Sequence, residues 1–526
     1  MNLIDPITLT IFQRRFEAIT EEMSHVLRKT AYSPNIKERA DFSCAIFDNF
    51  GNIIAQAEAI PVHLGSMPFV AKPILKMFKN LKEGDAIVTN SPRSKFGGTH
   101  LPDITLLSPV FLKNKLKYIV ANRAHHADVG GSTPGSLPAK SSEIYQEGLI
   151  IPPVKLYNEG IENDAIMSII MENVRTPYER RGDLRAQYSS LQLGMKRIHE
   201  LVNIEPNWNF DNIQSSLINQ SRIATIKRIQ QLPKNKVSFT DYMDDDGYGN
   251  RIKITCSIEI ANDQIIFDFT GSSSQTQGNV NAPLSVTTSA CYYVVRLLLG
   301  TSIPRNSGTF APIVVIAPEN TVVNPAAHHA TSSANTETST RIVDVVLGAL
   351  SKLIDVPAAS QGTMNNLIIG GIHNGNYWSI YETIGGGTGA GPNGHGVSAI
   401  QSHMTNTENT PIEALELSYP LLITEYSIRQ NSGGKGQFIG GNGIVREIKL
   451  LDNATINIQS DRRNSVPYGL KGGQPGSPGK NIIKLPSDEE TTPDYNKSRV
   501  YVQNAPSGTI IRIETPGGGG WGARSK

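Results

Sequence analysis

Behind Asp5-Pro6, apolar residues Phe12, Phe16, Ile19, Met23, Val26 and Leu27 recur at helical spacing, which predicts a long amphipathic helix ending near Thr30. The period then changes. SCAIFD and GNIIAQA are short apolar runs separated by an Asn-Phe-Gly turn, the pattern of a β-hairpin. From Gly84 to Leu156 short β-rich runs (DAIVTN, DITLLSPVFL, KLKYIVANRA) alternate with Gly, Pro and Asn. A helical tract over about Ile166 to Ala224 follows, and then IKITCSIEI and QIIFDFTG read as strands. Ala290 to Leu299 and Arg341 to Ile354 read as buried helices, and strands and turns return from about Tyr419.

These patterns predict an α+β, multidomain chain of glycine-rich mixed sheets with flanking helices. The expected units are 1–165 (first helix and β-rich region), 166–236 (helical segment), 237–418 (α+β central region with glycine-rich loops) and 419–526 (β-rich C-terminal region). No repeat of 20 to 50 residues emerges, so a solenoid or propeller is not expected.

Composition narrows the function classes. The 526 residues are 39% hydrophobic and 18% charged, ordinary globular usage. Forty-nine basic residues face 47 acidic ones with both signs scattered, so nothing points to nucleic acid or an anionic membrane. Three cysteines without CxxC spacing argue against a disulfide framework and fit a reducing cytoplasm. The start, MNLIDPITLT, lacks the basic-then-apolar pattern of a secretory signal, and no apolar run is long enough to span a bilayer.

Chemistry concentrates in Gly97-Gly98-Thr99-His100-Leu101-Pro102-Asp103 and in Arg123-Ala124-His125-His126-Ala127-Asp128-Val129-Gly130-Gly131. Imidazoles and carboxylates suit Zn²⁺, Mn²⁺ or Fe²⁺, and two His plus one carboxylate leave positions open for water or substrate. The two clusters meet if their strands pair. Lys37 to Ser43, with Asp41, reads either as a further part of the same sheet end or as a solvated helix-to-strand connection. His63 reads as a packed loop histidine, and His328-His329 as a polar surface loop. Gly389 to Gly394 satisfies GxGxxG but has proline inside it and no helix behind it, so a dinucleotide site is not expected. There is no GxxxxGK[ST] and no GxSxG. The C-terminal TPGGGGWG reads as a wrap against another subunit or as a flexible tail.

Several long segments carry a family resemblance: ERADFSCAIFD (38–48), IPVHLGSM (60–67), GGTHLPDITL (97–106), NRAHHADVGG (122–131), ENVRTPYERRGDLRAQ (172–187), SHMTNTENTPIEALE (402–416), NSGGKGQFIGGNG (431–443), PYGLKGGQPG (467–476) and TPGGGGWG (515–522). They resemble the B subunits of N-methylhydantoinase and the corresponding half of 5-oxoprolinase, with acetone and acetophenone carboxylase large subunits as relatives. The resemblance implies a division of labour in a cytoplasmic hetero-oligomer, a heterotetramer. ATP is held by a hydantoinase A-like subunit, which phosphorylates a small cyclic amide, and this chain completes ring opening at a divalent metal (Zn or Mn, or Fe). It also implies ligation by His100, Asp103 and His125, with Asp41 as a ligand or beside the ion. His126 and Asp128 would orient an imidazole or act as a base. The alternatives are a subunit of an ATP-dependent ketone carboxylase and a non-catalytic scaffold for the A subunit. His328-His329 and His395 depart from the family pattern.

Overall fold

Asp5 caps the first helix as its sequence predicts: its carboxylate accepts from the Ile7 and Thr8 backbone N–H groups, and the helix runs Pro6–Thr30. The computed structural model describes residues 4–57, 60–63, 65–93, 95–300, 302–487 and 496–524. The first three residues of the N-terminal reading and Leu64 of the 60–67 segment lie outside them.

The helix lies on a seven-stranded antiparallel sheet of β1 (Phe42–Asp48), β2 (Ile53–Gln56), β3 (Ala86–Thr89), β4 (Asp103–Leu112), β5 (Lys115–His125), β6 (Val154–Asn158) and β7 (Ile161–Glu162). Their order is β2-β1-β5-β4-β3-β6-β7. The predicted hairpin is β1–β2, and the two histidine-bearing segments meet because β4 and β5 pair. Side chains alternate across a strand. Cys44, Ile46, Ile104, Leu106, Val120 and Ala124 therefore pack toward the first helix and the helix Pro177–Ile204. Ala45, Phe47, Leu107, Ile119 and Ala121 pack on the opposite face under the helix Met67–Met77. Both faces are covered, which is why β1 reads as an almost unbroken apolar run.

The helical tract resolves into Asp164–Glu172, Pro177–Ile204 and Phe210–Ile229. A second sheet follows, of β8 (Val237–Met243), β9 (Ile252–Ile260), β10 (Ile265–Asp268) and β11 (Ile313–Ile316) in the order β11-β10-β9-β8. It packs with the helices Leu284–Leu299 and Ser339–Leu350 around a separate apolar core.

The remaining strands are β12 (Asn366–His373), β13 (Asn376–Glu382), β14 (Leu421–Arg429), β15 (Gly443–Leu450), β16 (Ala454–Gln459), β17 (Lys480–Lys484), β18 (Arg499–Ala505) and β19 (Ile510–Glu514). They form two sheets, β13-β12-β16-β18 and β14-β15-β19-β17, over a third core. The first of these sheets draws strands from both sides of residue 419.

The glycine-dense segments pack backbone against backbone. Gly441 N–H donates to Thr388 O, Gly518 N–H to Gly441 O and Gly434 N–H to Gly518 O. A Cβ on Gly441 would stand 1.9 Å from Val397 O. Gly441 is not at positive φ, so close approach rather than backbone freedom requires glycine there. The TPGGGGWG run belongs to this web and is held by its own chain, with Trp521 Nε1 donating to Val356 O at 3.1 Å. Among the described residues no helix is long and apolar enough to cross a membrane.

Candidate metal centre

Strand parity decides which of the sequence-identified residues meet. Asp103 at the start of β4 is the cross-strand partner of His125 at the end of β5. Both side chains point to the face covered by the helix Met67–Met77, as do Thr105 and Arg123. His100 arrives from the turn preceding β4. Asp103 Oδ1 lies 3.1 Å from His125 Nδ1 and 3.1 Å from His100 Nε2, and the two ring nitrogens are 3.2 Å apart. These three buried residues form a group able to hold a metal ion.

The surroundings fix each member. His100 Nδ1 faces the Ser332 carbonyl at 3.2 Å. A carbonyl only accepts, so the neutral ring carries its proton on Nδ1 and aims the Nε2 lone pair into the cluster, the orientation a ligand needs. Asp103 Oδ2 accepts from Thr99 Oγ1 at 2.5 Å and faces His63 Nε2 at 3.2 Å. The His125 ring stacks on Tyr381 of β13 at 4.6 Å between centroids. Tyr381 is held in turn by Asn366, whose Oδ1 accepts from the phenol at 2.9 Å.

Electrostatics follow from this packing. Burial works against ionising Asp103, but the imidazoles packed around it, His100 first, outweigh burial and hold the carboxyl well below its usual range. Burial pulls His100 down, while the Asp103 charge and hydrogen bond reverse the sign and leave it raised. For His125 burial prevails and the ring is lowered. Burial likewise brings the Arg123 guanidinium down to about 10, where it donates to Thr105 Oγ1 and Ser66 Oγ.

Asp41 lies at the same sheet end. Its carbonyl accepts from His125 N–H at 2.9 Å, and its charge acts on both His100 and His125. The Lys37 to Ser43 segment is not a solvated connection: Arg39 is fully buried and donates to Tyr381 O at 2.7 Å.

His126, one residue on, points to the other face of the sheet, where its Nε2 meets Gln187 Oε1 at 2.9 Å. Burial, then the Arg180 charge, bring it down to about 4. Asp128 accepts from Gly130 N, Gly135 N, Arg175 N and Arg175 Nη1, clamping the loop that leaves β5. Neither side chain belongs to the three-residue group. His328, His329 and His395 also lie outside it: the His328 carbonyl accepts from Ile144 N, His329 Nδ1 faces Thr276 O, and His395 Nδ1 accepts from Ile439 N.

His63, which reads as a packed loop residue, bridges Ser43 Oγ at 2.8 Å and Asp103, and it also lines a cleft of about 380 Å³. Ser43, Gln56, Tyr293, Arg296 and Asn406 share that cleft. Its signal in the sequence is the IPVHLGSM segment rather than the lone histidine. Asn335, whose Nδ2 stands 3.1 Å from His100 Nε2, and Tyr381 carry no comparable signal, since neither stands near the histidine clusters in sequence.

This fold is shared with solved structures. The chain superposes on an ATP-dependent caprolactamase from Pseudomonas jessenii with a TM-score of 0.89 and 27% identity, covering 99% of this chain and 92% of that one. It shares its fold with an acetone carboxylase at a TM-score of 0.86 and 20% identity, covering 98% and 76%. The chain belongs to the hydantoinase B/oxoprolinase family, whose description matches residues 5–524. It is 39% identical over 532 residues to a 5-oxoprolinase of Dictyostelium discoideum, covering 99% of this chain but only 40% of that protein. It is 42% identical to an uncharacterized protein of Methanocaldococcus jannaschii, of which it covers 91%. It is 30% identical to a protein named as the B component of a D-/L-hydantoinase from Pseudomonas sp. strain NS671, of which it covers 90%. The chain thus spans about two fifths of the long 5-oxoprolinase and nearly the full length of the shorter relatives.

Proposed function

We propose that this chain is the metal-binding B subunit of an ATP-dependent cyclic amidohydrolase in the cytoplasm. It would work on 5-oxoproline-like or hydantoin-like rings after a hydantoinase A-like subunit has phosphorylated them. The observation that carries the reading is the buried convergence of His100, Asp103 and His125 beside a cleft of small-molecule size.

The donor set fits a divalent cation. Two imidazoles and one carboxylate are borderline-to-hard ligands for Zn²⁺, Mn²⁺ or Fe²⁺. Asn335 Oδ1 is buried close by without a hydrogen-bond partner among the described residues, which is costly unless a ligand completes the site. His100, Asp103 and His125 would hold the ion, with Asp41 beside it. Such an ion supplies an acidified water and a counter-charge for oxygen in the transition state.

The chain's own residues supply the rest. A lactam is a poor electrophile with a poor nitrogen leaving group, and phosphorylation of its carbonyl oxygen on the partner removes the first obstacle. The cleft lined by Ser43, His63 and Asn406 receives the activated ring, and His63 spans the gap between that ring and Asp103. Arg123, behind the carboxylate on the same face, adds fixed positive charge without reaching the cluster. His126 and Asp128 support the end of β5 from its other face and from the following loop, a positioning role. The His126 ring is also turned away from the cluster, toward Gln187 Oε1 at 2.9 Å.

The test is ATP-dependent opening of 5-oxoproline and N-methylhydantoin by this chain with an A-type partner, with metal analysis of wild type and His100→Ala. Turnover that tracks bound metal supports the proposal. Full activity without metal makes the chain a scaffold. Metal-loaded protein that opens neither ring but fixes bicarbonate onto a ketone makes it a carboxylase subunit.

A further inference from the structure

Asn335 is contributed by another part of the chain. It sits in a single π-turn, Ala334–Thr338, at the head of the helix Ser339–Leu350. Wide turns of this kind recur at functional sites because they rotate side chains out of the helical register. Its Nδ2 stands 3.1 Å from His100 Nε2 and 3.4 Å from Asp103 Oδ2, so one end of the carboxamide is at the mouth of the metal cluster. Its other end, Oδ1, is buried with no partner among the described residues.

The spacing is informative. Four ligand atoms about 2.0–2.1 Å from a tetrahedral ion stand ~3.3 Å from one another. Three edges of the cluster measure 3.1, 3.1 and 3.2 Å. The edge from His100 Nε2 to the Asn335 carboxamide, at 3.1 Å, has the same length. The two ends of a carboxamide exchange by rotation about its last torsion. That rotation gives up only contacts with His100 and Asp103, the two groups whose lone pairs a cation would take.

We infer that Asn335 Oδ1 is the fourth protein ligand of the ion, so that the centre is built from two cores: His100, Asp103 and His125 from the first sheet, and Asn335 from the π-turn. The same turn region sends the Ser332 carbonyl to His100 Nδ1, and the Glu147 carboxylate holds that loop through the Thr331 and Ser332 N–H groups. Ion binding then fastens the first sheet to the π-turn helix. This inference rests on the metal reading above and adds a ligand to it.

The test is competitive titration of Zn²⁺ against a chromophoric chelator, together with the visible spectrum of the Co²⁺-loaded full chain, for wild type, His100→Ala, Asn335→Ala and Asn335→Asp. Asn335→Ala is expected to weaken Zn²⁺ binding beyond the roughly 10–100-fold that loss of an outer-sphere partner costs and to shift the Co²⁺ bands. Asn335→Asp, which keeps an oxygen at the vertex, is expected to recover the affinity. Melting of the ion-free variants alongside ion-free wild type establishes that they fold. Loss of the ion from His100→Ala with unchanged affinity and spectrum in Asn335→Ala overturns this inference alone. Weakened affinity with an unchanged Co²⁺ spectrum also overturns it, because Asn335 then acts only through a neighbouring ligand. A wild-type chain that binds no divalent ion overturns both this inference and the metal reading.

Discussion

Replacing Asp128 by alanine separates a clamp from a catalyst. Asp128 is fully buried and accepts four hydrogen bonds, from Gly130 N and Gly135 N at 2.9 Å, Arg175 Nη1 at 3.0 Å and Arg175 N at 3.2 Å. Bonds to a charged acceptor contribute about 1.5–3 kcal/mol each, but they are not additive when one group makes all of them. Two features limit the damage: Ser136 Oγ still ties Val129 N to Gly130 O, and the Arg175 guanidinium keeps its bond to Gly131 O. Breaking a buried charge pair from one side costs roughly 3–5 kcal/mol. At roughly 2 cal/mol/K of unfolding entropy per residue, a chain of 526 residues shifts by about 1 °C per kcal/mol, a fall in Tm of about 3–5 °C. Asp128→Asn, which keeps one accepting oxygen, should fall between the variant and wild type. The assay is thermal unfolding alongside turnover per folded molecule, measured well below the variant's Tm. If Asp128→Ala melts like wild type and yet loses turnover, the clamp reasoning is wrong and Asp128 moves protons.

Other expectations follow from the same geometry. Cys44, Cys256 and Cys291 are buried, with the Cys44 thiol pushed up to about 11 by burial and the other two pushed higher still. The native protein should therefore react with a thiol reagent at pH 8 far more slowly than the denatured chain, which should release three equivalents; fast labelling of the native protein would contradict the burial. Gly441→Ala should destabilise the C-terminal web and lower its protection from proteolysis, because its Cβ would meet Val397 O at 1.9 Å. Tyr381→Phe keeps the ring on His125 but leaves Asn366 Oδ1 without its donor, so it should cost about 1–3 kcal/mol in unfolding and leave metal affinity within a few-fold of wild type. Stripping divalent ions with a chelator should lower the Tm of wild type but not of His100→Ala, since only a native state that binds the ion is stabilised by it.

Much of the architecture was legible where a local rule had no competitor. The first helix carries its own cap, and the hairpin carries its own turn. The helical tract is periodic enough to locate, although its breaks before Pro177 and at the Asn209 cap show only as punctuation. The C-terminal region was harder to read. Its β-richness shows in the sequence, but the pairing of β12 with β16 joins residues on either side of residue 419, and no local pattern encodes so distant a partner. The glycine runs are ambiguous in the sequence: one satisfies GxGxxG without the helix a dinucleotide site needs, and the last reads equally as a subunit wrap or a flexible tail. Their density instead reflects chains approaching so closely that a Cβ on Gly441 would overlap a carbonyl oxygen.

The candidate site is a case in which one structural fact, strand pairing, changes what the residue pattern says. Read along the chain, His125, His126 and Asp128 look equivalent. Once β4 and β5 pair so that Asp103 stands opposite His125, alternation places His125 beside Asp103 and sends His126 to Gln187 on the far face. A shift of one residue in that register would exchange the two histidines. The pairing is anchored by Arg123, whose guanidinium reaches Thr105 across the strands, and by Asn122 on the other face, whose amide donates to Gln187 O. The residues that complete the surroundings, His63, Asn335 and Tyr381, come from three separate segments. Only packing brings them within reach, so no spacing rule along the chain could have named them together.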